Sequence, residues 1–262
     1  QYNLHKLTSQ LNALVTEPKR TETLWKLMNN SLYIGEVGRR YQLDIKRIPA
    51  DDPRALAGTC IYSGHEFDNQ YRALVRKTDP MVVPATYNHI FWTGNTATAV
   101  WNEADTIAEA MGLPQVTETF TSYLDVYKFI ETADLTQEST IINVGLMLEV
   151  IWTLYTSEKE LNDLYKNGSE DIPDKKLDLW TRTCIITFRS HVVKLALTHR
   201  HIMHIARSKK LPVRSQLLRD TKHYAQLTND ETIMYNNTWV RSDLVQITNR
   251  ALVVKPFRRE PP

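Results

Sequence analysis

Glycine is scarce, with eight in 262 residues. Proteins that cradle phosphates or dinucleotides turn on glycine, and neither GxGxxG nor GxxxxGK[ST] occurs. Cysteine is scarcer still: Cys60 and Cys184 lie far apart and form no CxxC pair. Thiolate zinc sites and redox dithiols are therefore excluded. Two free, buried thiols are expected, which suits a reducing intracellular compartment. GxSxG, HExxH, calcium-loop and kinase signatures are absent. Nothing marks a cofactor, and none is expected. Apolar runs stop short of a membrane span. The longest, IINVGLMLEVIWTLY at 141–155, is interrupted by Glu149, so no transmembrane span is expected. Gln rather than Met stands first, which reads as a processed or trimmed product.

Acid is missing from one long stretch. Residues 179–219 carry nine Lys/Arg and no Asp/Glu, whereas residues 87–164 carry twelve acids and two bases. The net charge of +2 thus hides a polarised chain. Either the two halves pack against each other, or faces of opposite sign meet different partners.

Helical periodicity dominates what is present. The expected fold is all-α or predominantly α: an irregular multi-helix bundle of about 8–10 helices with minor extended segments. Thr21-Glu22 opens a helix that continues toward Tyr41. His65–Lys77 reads as a second helix, stopped by TDP, and 81–87 as a linker or buried extended piece. Thr96–Met111 is a third, closed by Gly112 and Pro114. Ser122–Glu131 is a fourth, and Ser139–Tyr165 is central, with Glu149, Thr153, Thr156, Glu160 and Asp163 on one wet or partner-facing edge. A long helix covers 175–209, and the last fifty residues hold two or three shorter ones. LDIKRI (43–48) and ALVV (251–254) carry the best strand signals. The reading is a single helical domain over 1–262, with a possible subdivision near 167–174.

SHVVKLALTHRHIMHIARSKK, residues 190–210, holds four of the eight histidines. At about 100° per residue, His199 falls in the middle of the apolar face and His191 at its edge. The two lie about 12 Å apart along the axis, too far to share one metal ion. His199 reads as a core histidine with a satisfied ring N–H. Lys194, Arg200, His201, His204 and Arg207 form a cationic band on the other side, which Lys209, Lys210 and Arg214 extend. Cations also suit a helix C-terminus. Arg258 and Arg259 belong to a basic tail, PFRREPP, that reads as an arm laid on a neighbour. These ten residues are the candidate partner- or anion-binding set; no catalytic or metal residue is assigned.

Weaker readings remain. GHEFD (64–68) with His89 could build a carboxylate–histidine metal site, or simply place acids at a helix start. A buried pair of Glu149 with His191 or His199 would be structural more often than catalytic. Aromatic runs YNHIFWTGN (87–95) and MYNNTWVRSD (234–243) have the composition of protein contact surfaces. The first expectation is a non-catalytic accessory or scaffold subunit of a large multi-protein assembly, such as an organellar membrane complex of the mitochondrion, with other subunits and lipid head groups as partners. Its alternatives are an RNA-binding nucleocapsid or scaffold protein and a helical-bundle metalloenzyme using His65, His89, Glu149 and His199. No aromatic for base stacking lies between Phe188 and Tyr224, which ranks nucleic acid second.

Overall fold

A computed structural model describes residues 18–49, 52, 60, 65–68, 73–76, 83–166, 174–208, 229–249 and 251–255. In chain order, the helices are α1 (Pro18–Met28), α2 (Gly35–Arg40), α3 (Asn95–Ala110), α4 (Tyr123–Thr132), α5 (Glu138–Lys166), α6 (Asp174–Ser208) and α7 (Asn229–Tyr235). Wider π-helical turns extend α2 (Tyr41–Ile45), precede α3 (His89–Thr93) and follow α7 (Asn236–Val240). Two hairpins complete it: β1 (His65–Asp68) with β2 (Ala73–Arg76), and β3 (Val245–Thr248) with β4 (Ala251–Val254). The described part is predominantly helical, as the periodicity requires.

Helix α5 is the axis. Residues 142–151 are buried on every side, because α1, α3 and α6 all pack on it. Val144, Met147, Val150, Ile151 and Leu154 meet Phe188, Val192 and Ala196 in one apolar core. Burying a side chain of that size stabilises by about 1.5–3 kcal/mol, so this core is the main favourable term. Ser139–Leu161 is long and apolar enough to cross a membrane by length and composition. Most of it is covered by protein, as in the core helix of a globular fold.

The boundaries read for α3 and α4 hold, with an exception at α1, and the TDP stop lies outside the described residues. Gly112, at φ +73, closes α3, and the Leu113 N–H returns to Ala108 O at 2.8 Å. That is the left-handed helix ending glycine favours. The Asp125 side chain accepts the N–H groups of Thr121 (2.9 Å) and Ser122 (3.1 Å) at the start of α4. The exception is α1, which does not continue toward Tyr41. Asn30 adopts φ +50, and the Ser31 N–H returns to Lys26 O at 2.8 Å. Asn is the second choice for that position after glycine, and the sequence Asn29-Asn30-Ser31 held the signal.

Two assignments reverse. His65–Lys77, expected helical, contains a hairpin in which Glu66 pairs with Val75 and Phe67 with Leu74. Four-residue strands are too short to show alternation, and Phe67, Tyr71, Leu74 and Val75 mimic a helical period. Antiparallel strand pairing and packing against α3 and α6 decide the outcome. LDIKRI, expected extended, continues α2: the Lys46 N–H reaches Tyr41 O at 3.1 Å. ALVV is a strand as read, paired to VQIT.

The aromatic runs at 87–95 and 234–243 also correct an expectation. Tyr87, Phe91, Trp101, Tyr235 and Trp239 are buried core residues. The Trp101 indole N–H finds Phe91 O at 2.8 Å, and the Tyr87 hydroxyl donates to Leu32 O. Tyr87, Phe91, Tyr235 and Trp239 of these runs therefore pack the core, with large apolar rings turned inward.

Gly35 sits where backbones nearly touch. Its φ is +52, and a Cβ there would lie 2.3 Å from Ala85 O. Gly35→Ala is expected to destabilise by about 2 kcal/mol or more, from left-handed strain plus the clash. Urea unfolding followed by circular dichroism measures it as a lower midpoint at unchanged m-value.

Candidate functional site

Helix α1 buries Arg20, Thr23, Leu24 and Leu27, a stripe at helical spacing with a cation where an apolar residue belongs. That cation answers Glu149, near the middle of α5. The Arg20 Nε–H lies between both carboxylate oxygens, at 3.2 and 3.1 Å. Its guanidinium carbon stands 4.7 Å from the centre of the Trp152 ring, where the π face favours a cation.

Helix α6 completes the cluster. His191 Nδ1 lies 3.6 Å from Glu149 Oε2 and is hydrogen-bonded to Thr153 Oγ1 at 3.0 Å. One turn further along α5, Ser157 Oγ contacts Cys184 Sγ at 2.8 Å and accepts the Trp180 indole N–H at 2.8 Å. Leu161 and Leu177 then pack together. Partners that ascend in α5 as they descend in α6 define an antiparallel pair. Glu149, Thr153 and Ser157, four residues apart, make a polar seam along it.

This settles the edge of α5 that carries Glu149. Its Glu149–Thr153 portion is not wet or partner-facing; α1 and α6 cover it. Of the alternatives for Glu149, His191 is the histidine beside it. The position of His199 is in α6, and its side chain lies outside the described residues. The charged halves also touch internally: Arg189 on α6 donates to Glu103 on α3, a carboxylate only 1 % exposed.

The chemistry open to this seam is narrow. Burial pushes the Cys184 thiol up to about 12, so it is no thiolate near neutral pH. Burial, with Arg20 and Lys194 as nearby cations, pushes the His191 imidazole down to about 4. His191 is therefore neutral at pH 7, and Arg20 is the counterion of Glu149. Among the described residues no group of three metal-type ligands converges. His65 stands in β1, His89 in the turn before α3 and Glu149 in α5.

The ten candidate binding residues divide by what is described. Lys194 is exposed on α6. Arg200, His201, His204 and Arg207 occupy positions in the same unbroken helix. Lys209, Lys210, Arg214, Arg258 and Arg259 lie outside the described residues. Arg20 was missed by the sequence reading; its signal was a charge on the buried stripe of α1. Comparison with protein-family models, curated proteins and solved structures gives no match.

Arg20→Met is expected to destabilise by about 3–5 kcal/mol, because the Glu149 carboxylate stays buried without its cation. Arg20→Met with Glu149→Gln should recover much of that loss in a double-mutant cycle of denaturant midpoints. His191 gives a pH test. Its folded value lies below the unfolded one, so its stability contribution is complete above about pH 6.5 and falls as pH drops toward about 4. His191→Gln should flatten that part of the stability–pH profile.

Proposed function

We propose that the chain is a non-catalytic helical scaffold subunit of a multi-protein assembly, docking through the outward face of α6. One observation carries this reading: Leu179 and Ile186, seven residues apart, are 62 % and 55 % exposed. Arg182, Thr183, Ser190 and Lys194 are exposed beside them. Taking Ile186 as the centre, positions 200, 201, 204 and 207 also fall within about 80° of it at the helical period. An aliphatic stripe continuing into a cationic band suits an acidic amphipathic surface on a partner protein. The interior supports the same reading, since the ionisable groups of the seam hold helices together.

RNA is the second reading, favoured by the length of this face. Past Asp178 the helix carries no acid as far as its end at Ser208, a length of about 45 Å at 1.5 Å per residue, which could track a phosphate backbone.

Native mass spectrometry of the gently purified protein, with and without nuclease, separates them. The scaffold reading expects a defined multi-protein complex that nuclease leaves intact and Ile186→Asp releases, with the helical signal unchanged. A lone wild-type chain would sink it. Disassembly on nuclease treatment would hand assembly to RNA.

A further inference from the structure

The basic stretch of α6 has no aromatic between Phe188 and Tyr224. The structure puts an exposed aromatic elsewhere. Leu32 and Ile34 are buried, and Tyr33 between them is 55 % exposed. Ile34 is extended, with φ −130 and ψ 160, and alternation on an extended backbone sends Tyr33 outward. The base is fixed on both sides. The Tyr87 hydroxyl holds Leu32 O, and the Glu36 N–H holds Ala85 O at 3.0 Å, where Gly35 permits the close approach. A large aromatic is thus carried in water on a rigid support.

Tyr33 leans on a second ring. Its centroid is 4.2 Å from that of Tyr41, with the planes tilted by 32°. Lys46 Nζ stands 5.9 Å over the Tyr41 ring. Arg40, Lys46 and Arg47 are exposed, and Arg39 is half-buried. Residues 33–47 hold four cations against Glu36 and Asp44, and Glu36 is occupied by Arg40. The backbone here is unusual twice over. Tyr41–Ile45 is a π-helical turn, a geometry found often at functional sites. Arg47 is left-handed at φ +51, and the Ile48 N–H closes across it onto Gln42 O at 3.0 Å. Such a conformation persists in a non-glycine residue only when its surroundings hold it.

We propose that the Tyr33–Tyr41 face is a binding site for single-stranded nucleic acid, with a base stacked on Tyr33 and the backbone phosphates against Arg40, Lys46 and Arg47. Any base can stack on a tyrosine ring, and closely placed cations can follow a phosphate chain; this combination defines sequence-tolerant single-strand sites. A protein partner fits less well. Contact surfaces are depleted in lysine, and here Lys46 stands over one of the two rings. A duplex keeps its bases stacked internally and offers Tyr33 no free face. The site lies on the α2 segment, apart from the α6 docking face, and does not depend on the scaffold reading.

Fluorescence anisotropy tests it, using nuclease-treated full-length protein, labelled 12-mers of oligo(U) and oligo(dT), and a 12-base-pair duplex. The single strands should bind more tightly than the duplex. Tyr33→Ala should weaken binding roughly tenfold, within the range for loss of one stacked base, and Tyr33→Phe should retain it. Lys46→Gln with Arg47→Asn should lower the slope of log affinity against log salt by about 1.4, for two phosphate contacts at 0.7 each. Asn tolerates the left-handed conformation at 47. No single-strand binding, or binding indifferent to Tyr33→Ala, would overturn the proposal. Binding abolished by Lys194→Glu but not by these changes would place nucleic acid on α6 and also overturn it. If Tyr33→Ala dissolved a protein complex and left oligonucleotide binding intact, the face would be a protein contact. In contrast, failure of the scaffold reading shows as a lone chain in native mass spectrometry and leaves these affinities unchanged.

Discussion

A guanidinium and a carboxylate meet near the middle of the buried helix α5, and three helices are arranged around them. Glu149 occupies a position on α5 where every neighbour within a turn is apolar or covered. A bare carboxylate there would be untenable. Arg20 removes the difficulty only if α1 lies across α5, and Thr153 with His191 fixes how α6 lies on the other side. Losing one partner of such a pair costs about 3–5 kcal/mol, against a total stability of about 5–15 kcal/mol for an ordinary domain. The apolar core supplies most of the driving force. The ion pair and the seam decide which packing that force produces, because a one-turn slip of α6 would separate His191 from Thr153 and Cys184 from Ser157.

Much of this was legible locally. The long helices α5 and α6 announce themselves by length and periodicity, and Gly112 with Pro114 marks the end of α3. Asn30 marked the end of α1 less clearly, because asparagine in a left-handed turn is a weaker cue than glycine. The β1–β2 hairpin was not legible, because four residues per strand give pairing geometry nothing periodic to write. Depth was misread for the aromatic runs. Tyr87, Phe91 and Trp239 sit among Asn, Thr and Arg in sequence, yet they fold inward.

Of the candidate sites, the cationic band is an angular sector read from sequence, and α6 runs unbroken through positions 194–207 beneath it. The pairing of Glu149 with a histidine of α6 was also within reach of sequence. Its cation was not, since nothing local connects residue 20 to residue 149. The Tyr33 face escaped for a related reason. Exposure there follows from burial of Leu32 and Ile34 against residues some fifty positions away, and a helical reading of that segment hides the alternation that turns Tyr33 out.

The separation of Arg20 from Glu149, 129 residues along the chain, bears on the order of assembly. During synthesis α1 emerges long before its counterion exists. The α5–α6 pair closes over a short connection and can form early, since nearby segments meet at little entropic cost. Until α1 docks, that pair presents an unneutralised carboxylate in a half-built core. The core built from α5 and α6 is thus electrostatically incomplete without α1, which brings the counterion of Glu149 from the far end of the described chain.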